Sequence, residues 1–156
     1  MEVKQMKDIE IFAANKVIEK LIEESLHSSN PTVISNNLIK LSAWKFRFGE
    51  LVAESAKLLQ EAENNKDFVF STAFIEAKNT VKMLAGKEKI VAEEEAKAVA
   101  ILNSKDEREG YVASIWYKTR VLNFWRDLET VIDAIKYKQR ALESEYKNLQ
   151  FGQEAM

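Results

Sequence analysis

The scarcity of proline and glycine constrains this chain more than any other feature of its sequence. Its 156 residues include one proline and four glycines. The turns of β-sandwiches and β-barrels use both residues heavily, so an all-β architecture is disfavoured. The sequence is instead rich in alanine, leucine, glutamate and lysine, which are good helix formers. We therefore predict an all-α fold, an elongated helical bundle. No linker, repeat or low-complexity segment is visible, so we assign residues 1–156 to a single domain.

Apolar residues recurring at helical spacing define the first two predicted helices. The N-terminal helix is expected over about residues 3–27 and the second helix over about residues 31–63. Asn30 is suited to cap the second helix, and Pro31 stands at the first helical position, where a helix tolerates proline best. The polar segment Asn64–Asp67 is predicted to form a turn after that helix.

The second half of the chain is again helical by composition. The middle helices are expected over about residues 72–102, with Gly86 either as the break between them or tolerated inside a helix at a cost of about 1 kcal/mol relative to alanine. Ser104 followed by Glu107 matches a capping box, a pattern typical of a helix start. The C-terminal helix is therefore predicted over about residues 105–149.

A heptad repeat of apolar residues begins at Val121 and continues to Leu149, with the polar Gln139 in its seam. Buried polar seam residues often fix the register or the oligomeric state. A helix of ~45 residues would be ~65 Å long, which exceeds the diameter of a compact domain of this size. We therefore predict a long coiled-coil-like helix that mediates a homo-oligomer, with an intramolecular antiparallel bundle as the alternative. The predicted oligomer interface consists of Val121, Trp125, Leu128, Ile132, Ile135 and Leu142.

The composition argues against an enzyme. The chain has no cysteine and a single histidine, His27, which excludes disulfides, thiolate zinc sites and a cysteine nucleophile. Four glycines cannot form a phosphate-binding glycine loop. Glu24 and His27 form one Glu-x-x-His pair, whereas a di-iron bundle needs two such pairs and two further glutamates. The run Glu93–Glu95 points in three directions on a helix and cannot converge on one cation. We predict no catalytic residue, no metal and no cofactor.

The sequence predicts a location in the cytoplasm. No run of about 18 apolar residues is present, so no membrane span is expected. Residues 1–12 carry acidic side chains where a signal peptide requires an apolar core, so we expect no secretion signal.

Two stretches interleave aromatic residues with cations, although the net charge of the chain is −2. Residues 44–48 read Trp-Lys-Phe-Arg-Phe, and residues 136–140 read Lys-Tyr-Lys-Gln-Arg. Sites for single-stranded nucleic acid combine aromatic side chains for base stacking with cations for the backbone. The alternative is that the aromatic residues belong to the core and the cations are solvated. The predicted DNA contacts are Trp44, Lys45, Arg47, Lys136, Lys138 and Arg140.

The order of several short motifs resembles the UvsY-type recombination mediator proteins of T-even-like bacteriophages. The similarity spans roughly residues 36–145. In that family an Asn-Asn pair precedes a Ser-x-Trp helix, and an aromatic helix leads through Leu-Asp-Phe to Asp-Ala-Ile-Lys. The family's basic DNA-binding motif, Lys-Ala-Arg-Leu, is matched here by residues 56–61, which retain one cation, Lys57. The matching motifs are Asn36-Asn37-Leu38, Leu41-Ser42-Ala43-Trp44, Ile101-Leu102-Asn103-Ser104-Lys105-Asp106, Ile115-Trp116-Tyr117, Leu122-Asn123-Phe124 and Asp133-Ala134-Ile135-Lys136.

The resemblance implies a small, helical, non-enzymatic protein that oligomerises into rings. Such a protein binds single-stranded DNA, the phage single-stranded DNA-binding protein and a RecA-like recombinase. It helps the recombinase to displace the binding protein and to nucleate a filament, in the cytoplasm of the bacterial host if the chain is phage-encoded. The alternative from the residues alone is a helical oligomeric interaction protein without DNA binding, such as a phage assembly component or an inhibitor of a host protein.

Overall fold

The computed structural model describes the backbone of residues 2–84 and 93–154, and the side chains of residues 11, 13–79 and 93–152. These residues form four α-helices and no strand: α1 (Glu2–His27), α2 (Pro31–Leu84), α3 (Glu93–Asn103) and α4 (Lys105–Glu154). The predicted all-α class and the long C-terminal helix are confirmed. The predicted break at Gly86 lies outside the described residues. Over the part of the chain that is described, no helix combines the length and the hydropathy needed to cross a bilayer.

The start of α2 agrees with the sequence prediction. The side-chain Oδ1 of Asn30 accepts a hydrogen bond from the backbone N–H of Thr32 at 2.9 Å. Pro31 is the first helical residue, a position whose N–H would have no intrahelical partner. The hydroxyl of Ser28 accepts a hydrogen bond from the N–H of Asn30 at 3.1 Å. The short connection between α1 and α2 is therefore fixed by local hydrogen bonds.

The turn predicted at Asn64–Asp67 is wrong, because α2 continues without interruption to Leu84. Asparagine and aspartate cost only about 0.7 kcal/mol each relative to alanine inside a helix, and neither glycine nor proline is present here. The Nε2 of Gln60 donates to the Oδ1 of Asn64 at 3.2 Å, one turn further along. The ammonium of Lys66 lies 4.3 Å from the ring centre of Tyr111 on α4. These contacts stabilise a helix that local propensity alone leaves undecided.

The predicted bounds near residues 31–63 and 72–102 are accordingly replaced by those of α2 and α3, whereas the start of the last helix at residue 105 is confirmed. A single residue, Ser104, separates α3 from α4. Its hydroxyl donates to the carbonyl of Ala100 at 2.7 Å, so it closes the end of α3. A capping box would instead have the Ser104 hydroxyl accept from the backbone N–H of Glu107.

The chain divides into two compact units. Unit 1 comprises the described residues of Met1–Glu50 and Asn123–Met156, and unit 2 comprises those of Leu51–Leu122. The sequence predicts one domain and contains no linker at the division. Helices α2 and α4 each contribute residues to both units.

In unit 1, α2 and α4 pack antiparallel to each other. The Nζ of Lys45 lies 2.5 Å from the Oε1 of Glu129, and the Nε2 of Gln139 donates to the Oγ of Ser35 at 2.5 Å. In each pair the two residue numbers sum to 174. A residue further along α2 therefore lies opposite a residue earlier in α4, as expected for antiparallel helices. Helix α1 joins them through its C-terminal end, where the carboxylate of Glu24 accepts a hydrogen bond from the side-chain amide of Asn37 at 3.4 Å.

The core of unit 1 follows from a heptad spacing on α2. Ile34, Leu41 and Phe48 are seven residues apart and at most 1% exposed. Seven residues are close to two helical turns, so the three side chains form one stripe. Ile18 of α1 and Ile135 of α4 are buried to the same degree. The stripe ends where the rings of Phe48 and Phe124 pack with their centroids 4.5 Å apart.

The heptad seam predicted as an oligomer interface is largely buried within one chain. Val121, Leu128, Ile132 and Ile135 are at most 3% exposed. Their assignment to an interface between copies is wrong, because the chain's own helices cover them, as in the intramolecular antiparallel alternative. Of the other two predicted interface residues, Trp125 lies beneath Lys45, and both Trp125 and Leu142 are half-buried.

Unit 2 pairs the second part of α2 with α3 and the start of α4. Ala77 packs against Ala96, and Phe74 partly covers both. Ala96, Ala100 and Ser104 are fully buried at four-residue intervals, so one narrow side of α3 faces α2. These small side chains allow the helix backbones to approach closely. Several large apolar side chains of these helices are exposed, among them Ile75, Ile101 and Trp116.

Candidate nucleic-acid interface

The six predicted DNA contacts all lie in unit 1, three on α2 and three on α4. The structure divides them into residues that hold the fold together and residues that face solvent. Their surroundings decide which of them remain available to a ligand.

Lys138 is occupied at the C-terminal end of α1. Its ammonium donates hydrogen bonds to the carbonyls of Ser25 at 3.1 Å and Ser28 at 2.7 Å, and to that of Leu26. The last carbonyls of a helix lack intrahelical partners and carry partial negative charge, so a cation placed there is stabilising. The assignment of Lys138 to a phosphate contact is therefore wrong, since its ammonium joins α4 to α1.

Lys45 is also used internally. Its ammonium forms the 2.5 Å ion pair with Glu129 and lies 5.1 Å from the ring centre of Trp125. The side chain is 29% exposed, so a phosphate would have to displace the Glu129 carboxylate in a partly desolvated position. The prediction that Lys45 contacts DNA is corrected for this reason.

Three predicted cations remain on the surface. Arg47 and Arg140 are exposed, and neither has an ionic partner among the described residues. Lys136 is exposed, and its Nζ lies 3.4 Å from the Oδ1 of Asp133. An exposed pair of this kind contributes little, so the Lys136 ammonium can exchange its partner for another anion at small cost.

Trp44, the aromatic contact predicted from the sequence, is not the most exposed aromatic residue near these cations. Trp44 is half-buried, whereas Phe46 is 73% and Tyr137 is 77% exposed. Sequence reasoning missed both as contacts, although helical phase provided a signal for Phe46. Phe48 belongs to the same buried repeat as Leu41, and a residue two positions away on a helix points about 200° from it. Phe46 must therefore face outward.

The structure does not bring the two cation clusters into contact with each other. Because paired residues of α2 and α4 sum to 174, Arg47 lies level with residue 127 of α4. Lys136 is nine residues beyond that level, or ~13 Å along the helix at 1.5 Å per residue. A single compact anion therefore could not contact both clusters.

The remaining sequence candidates are held in local contacts. The Nδ1 of His27 lies 2.8 Å from the carbonyl of Glu23, one turn earlier on α1. Glu93 pairs with Lys97 at 2.9 Å, and this hydrogen bond together with the Lys97 charge lowers the pKa of the Glu93 carboxyl. The same contact raises the pKa of Lys97. In the described parts of the chain, no group of three or more ligand side chains could hold a metal ion.

No protein-family model matches the sequence, and no curated protein and no solved structure matches the chain. An all-α fold is compatible with many activities, so the exposed surfaces carry the evidence on function.

Proposed function

We propose that this chain is a non-enzymatic protein that binds single-stranded DNA without sequence preference and acts as a recombination mediator. The observation that supports this most directly is the solvent-facing set of cations and aromatic rings on unit 1. This set, which we call the α2–α4 surface, consists of Phe46, Arg47, Lys136, Tyr137 and Arg140.

The α2–α4 surface has the two ingredients that single strands require. Phe46 and Tyr137 offer exposed ring faces, and stacking of one base on an aromatic side chain is worth about 1–3 kcal/mol. Arg47 and Arg140 are without ionic partners among the described residues, so a phosphate need not break an existing ion pair. The role in loading a RecA-like recombinase in the presence of a single-stranded DNA-binding protein rests on the resemblance to UvsY-type proteins.

The chain should bind a single strand weakly as a monomer, because its net charge is −2. Assembly would raise the affinity, since further contacts to one strand become intramolecular. We propose that the homo-oligomer forms through the end of α4, and not through the buried part of the seam. Tyr146 and Leu149 continue the heptad positions and are 53% and 66% exposed.

The geometry of unit 1 explains why this end of α4 is uncovered. Gln139 lies opposite Ser35, only four residues after the start of α2, whereas α4 continues fifteen residues beyond Gln139 to Glu154. About eleven residues, or ~16 Å of helix, therefore extend past the first turn of α2. Sedimentation velocity of Leu149→Asp should show smaller species than the wild-type chain. The neighbouring control Asn148→Asp should leave the distribution unchanged, and a wild-type monomer at tens of micromolar would refute the assembly.

DNA binding is tested by fluorescence anisotropy of a labelled oligothymidylate across a range of salt concentrations. The triple variant Arg47→Gln, Lys136→Gln and Arg140→Gln should bind at least tenfold more weakly. Its slope of log affinity against log salt should fall by about 2, since each phosphate contact contributes about 0.7 on a single strand. Lys20→Gln is the control, because Lys20 is an exposed lysine of α1 in unit 1 and lies outside the α2–α4 surface.

Two results would contradict this assignment. If the triple variant binds like the wild-type chain, or if Lys20→Gln weakens binding more than the triple variant does, the α2–α4 surface is not the DNA site. If the wild-type chain binds no oligonucleotide even at low salt, the better function is a helical interaction protein. The observation favouring that second candidate is the exposed apolar side of α3 and α4.

A further inference from the structure

An exposed apolar side runs along α3 and the start of α4 in unit 2. Ile101, Val112 and Trp116 are 45%, 50% and 67% exposed. Their spacing places them on adjoining parts of one side of the helix, around an open depression of ≈ 490 Å³. This surface, which we call the α3–α4 face, is lined by Ile101, Lys105, Arg108, Glu109, Val112 and Trp116.

The exposure follows from how unit 2 is built. Ala96, Ala100 and Ser104 direct the buried side of α3 toward α2, and Ile101 follows Ala100 by one residue, or about 100° around the helix. No other described element of unit 2 covers that flank. Leaving large apolar side chains in water costs about 25 cal/mol per Å² that burial would otherwise gain. Contiguous apolar patches of this kind are typical of interaction sites.

The charges along the face indicate the chemistry of what covers it. Arg108 has no ionic partner among the described residues, and the Nζ of Lys105 reaches the Oε1 of Glu109 only at 3.8 Å. Arg120 follows Trp116 by one turn and is also without an ionic partner in the described part of the chain. Among the residues that line the face, two cations, Lys105 and Arg108, accompany one anion, Glu109. The local excess of positive charge is complementary to an acidic partner.

The length of the face indicates the shape of the partner. Ile101 and Trp116 are fifteen residues apart, which corresponds to ~22 Å or about four helical turns. An amphipathic helix of similar length could place an apolar stripe on Ile101, Val112 and Trp116 and acidic residues against the flanking cations. Such helix-in-groove docking uses anchors at positions i, i+3 or i+4, and i+7.

We propose that the α3–α4 face docks an acidic amphipathic helix of a protein partner. A single-stranded nucleic acid fits the face less well, because Trp116 is the one aromatic residue among its lining residues and the aliphatic side chains of Ile101 and Val112 offer no plane for base stacking. The proposal does not rest on DNA binding, since none of the residues of the α2–α4 surface belongs to this face.

The test uses the full-length chain and two labelled 18-residue peptides. The acidic peptide carries leucines on one side of a helix and glutamates on the other, and the basic peptide has lysine in place of every glutamate. By fluorescence anisotropy, the acidic peptide should bind at least tenfold more tightly than the basic peptide. Equal binding of the two peptides, or no binding of the acidic peptide at millimolar protein, would overturn the proposal.

A pair of matched variants assigns that binding to the face. Val112→Glu places a like charge against the acidic peptide and should weaken its binding at least tenfold. Ile75→Glu introduces the same change at an exposed position of α2 in unit 2, outside the face, and should alter binding less than twofold. Circular dichroism of both variants should match the wild-type spectrum. If the two variants weaken peptide binding equally, the face is not the docking site.

Two further outcomes would replace the proposed partner with another. If an oligothymidylate displaces the acidic peptide from the wild-type chain and Val112→Glu also abolishes DNA binding, the face is a nucleic-acid site and the protein partner is wrong. If sedimentation shows an oligomer that Val112→Glu dissociates and Ile75→Glu does not, a second copy of the chain occupies the face.

Discussion

Replacement of Lys138 by methionine separates a structural lysine from a DNA-binding one. The Lys138 ammonium donates to the carbonyls of Ser25, Leu26 and Ser28, at the point where α1 ends. Methionine retains much of the apolar stem but removes the charge and all three hydrogen bonds. The conversion therefore tests the contact between α4 and the end of α1 with little change in packing volume.

The expected loss of stability is about 2 kcal/mol. A hydrogen bond to a charged group contributes about 1.5–3 kcal/mol, and three such bonds would suggest more than twice that value. The three bonds share one ammonium, however, and carbonyls at a partly exposed helix end regain water when it is removed. We therefore expect the loss of stability to equal the contribution of about one such bond. This value agrees with the upper limit of about 2 kcal/mol for a cation at a helix C-terminus. For a chain of this length the melting temperature should fall by about 4–8 °C.

Lys136→Met is the control, since Lys136 lies two residues away on the same helix and pairs only with exposed Asp133. Its removal should cost less than about 0.5 kcal/mol. Stability is measured by urea denaturation followed by circular dichroism, and DNA binding by anisotropy of the folded variants. The reasoning fails if both variants lose equal stability. It also fails if Lys138→Met weakens oligonucleotide binding with no loss of stability, because Lys138 would then contact phosphate.

Four further substitutions test the core and one surface ion pair. Phe48→Ala should cost about 3–5 kcal/mol in urea denaturation because the ring is 1% exposed, whereas Phe46→Ala at 73% exposure should cost less than about 0.5 kcal/mol. Ile135→Asp buries an unpaired charge inside one chain, so circular dichroism should show loss of helix in unit 1 and not merely dissociation. The Lys97 hydrogen bond lowers the folded-state pKa of Glu93. The stability that this hydrogen bond contributes is therefore fully present above the unfolded-state pKa of Glu93, and it is lost as the pH falls through the folded-state pKa. A carboxyl NMR titration should show the pKa of Glu93 rising in Lys97→Met.

Sequence patterns predicted where α2 and α4 begin but not how far α2 continues. Asn30 and Pro31 marked the start of α2 because capping chemistry is local and is written in adjacent residues. Asn64–Asp67 misled because helix propensity is weak there, and the contact between Lys66 and Tyr111 is made by residues 45 positions apart. A contact of that separation has no counterpart in the local pattern.

The candidate site was predictable in its residue types but not in their surroundings. Lys136, Lys138 and Arg140 are equivalent in the sequence as three closely spaced cations. Only the packing of α1 beside α4 distinguishes Lys138, which meets a helix end, from its neighbours, which meet solvent. The heptad seam was likewise visible from Val121 onward. A heptad repeat indicates which residues are buried, but it does not indicate whether the helix that covers them belongs to the same chain.

The antiparallel pairing of α2 with α4 also sets an order for folding. Ala77 and Ala96 are 19 positions apart (96 − 77), whereas Ser35 and Gln139 are 104 positions apart. Closing the longer loop from the unfolded chain costs about 1.5 kcal/mol more in entropy. We expect α2 and α3 to meet first near Ala77, and each new contact between α2 and α4 to shorten the loop that the next one must close. Contacts would thus form first in the middle of the sequence and then progressively toward its two ends. The ammonium of Lys138 would reach the end of α1 in the last step.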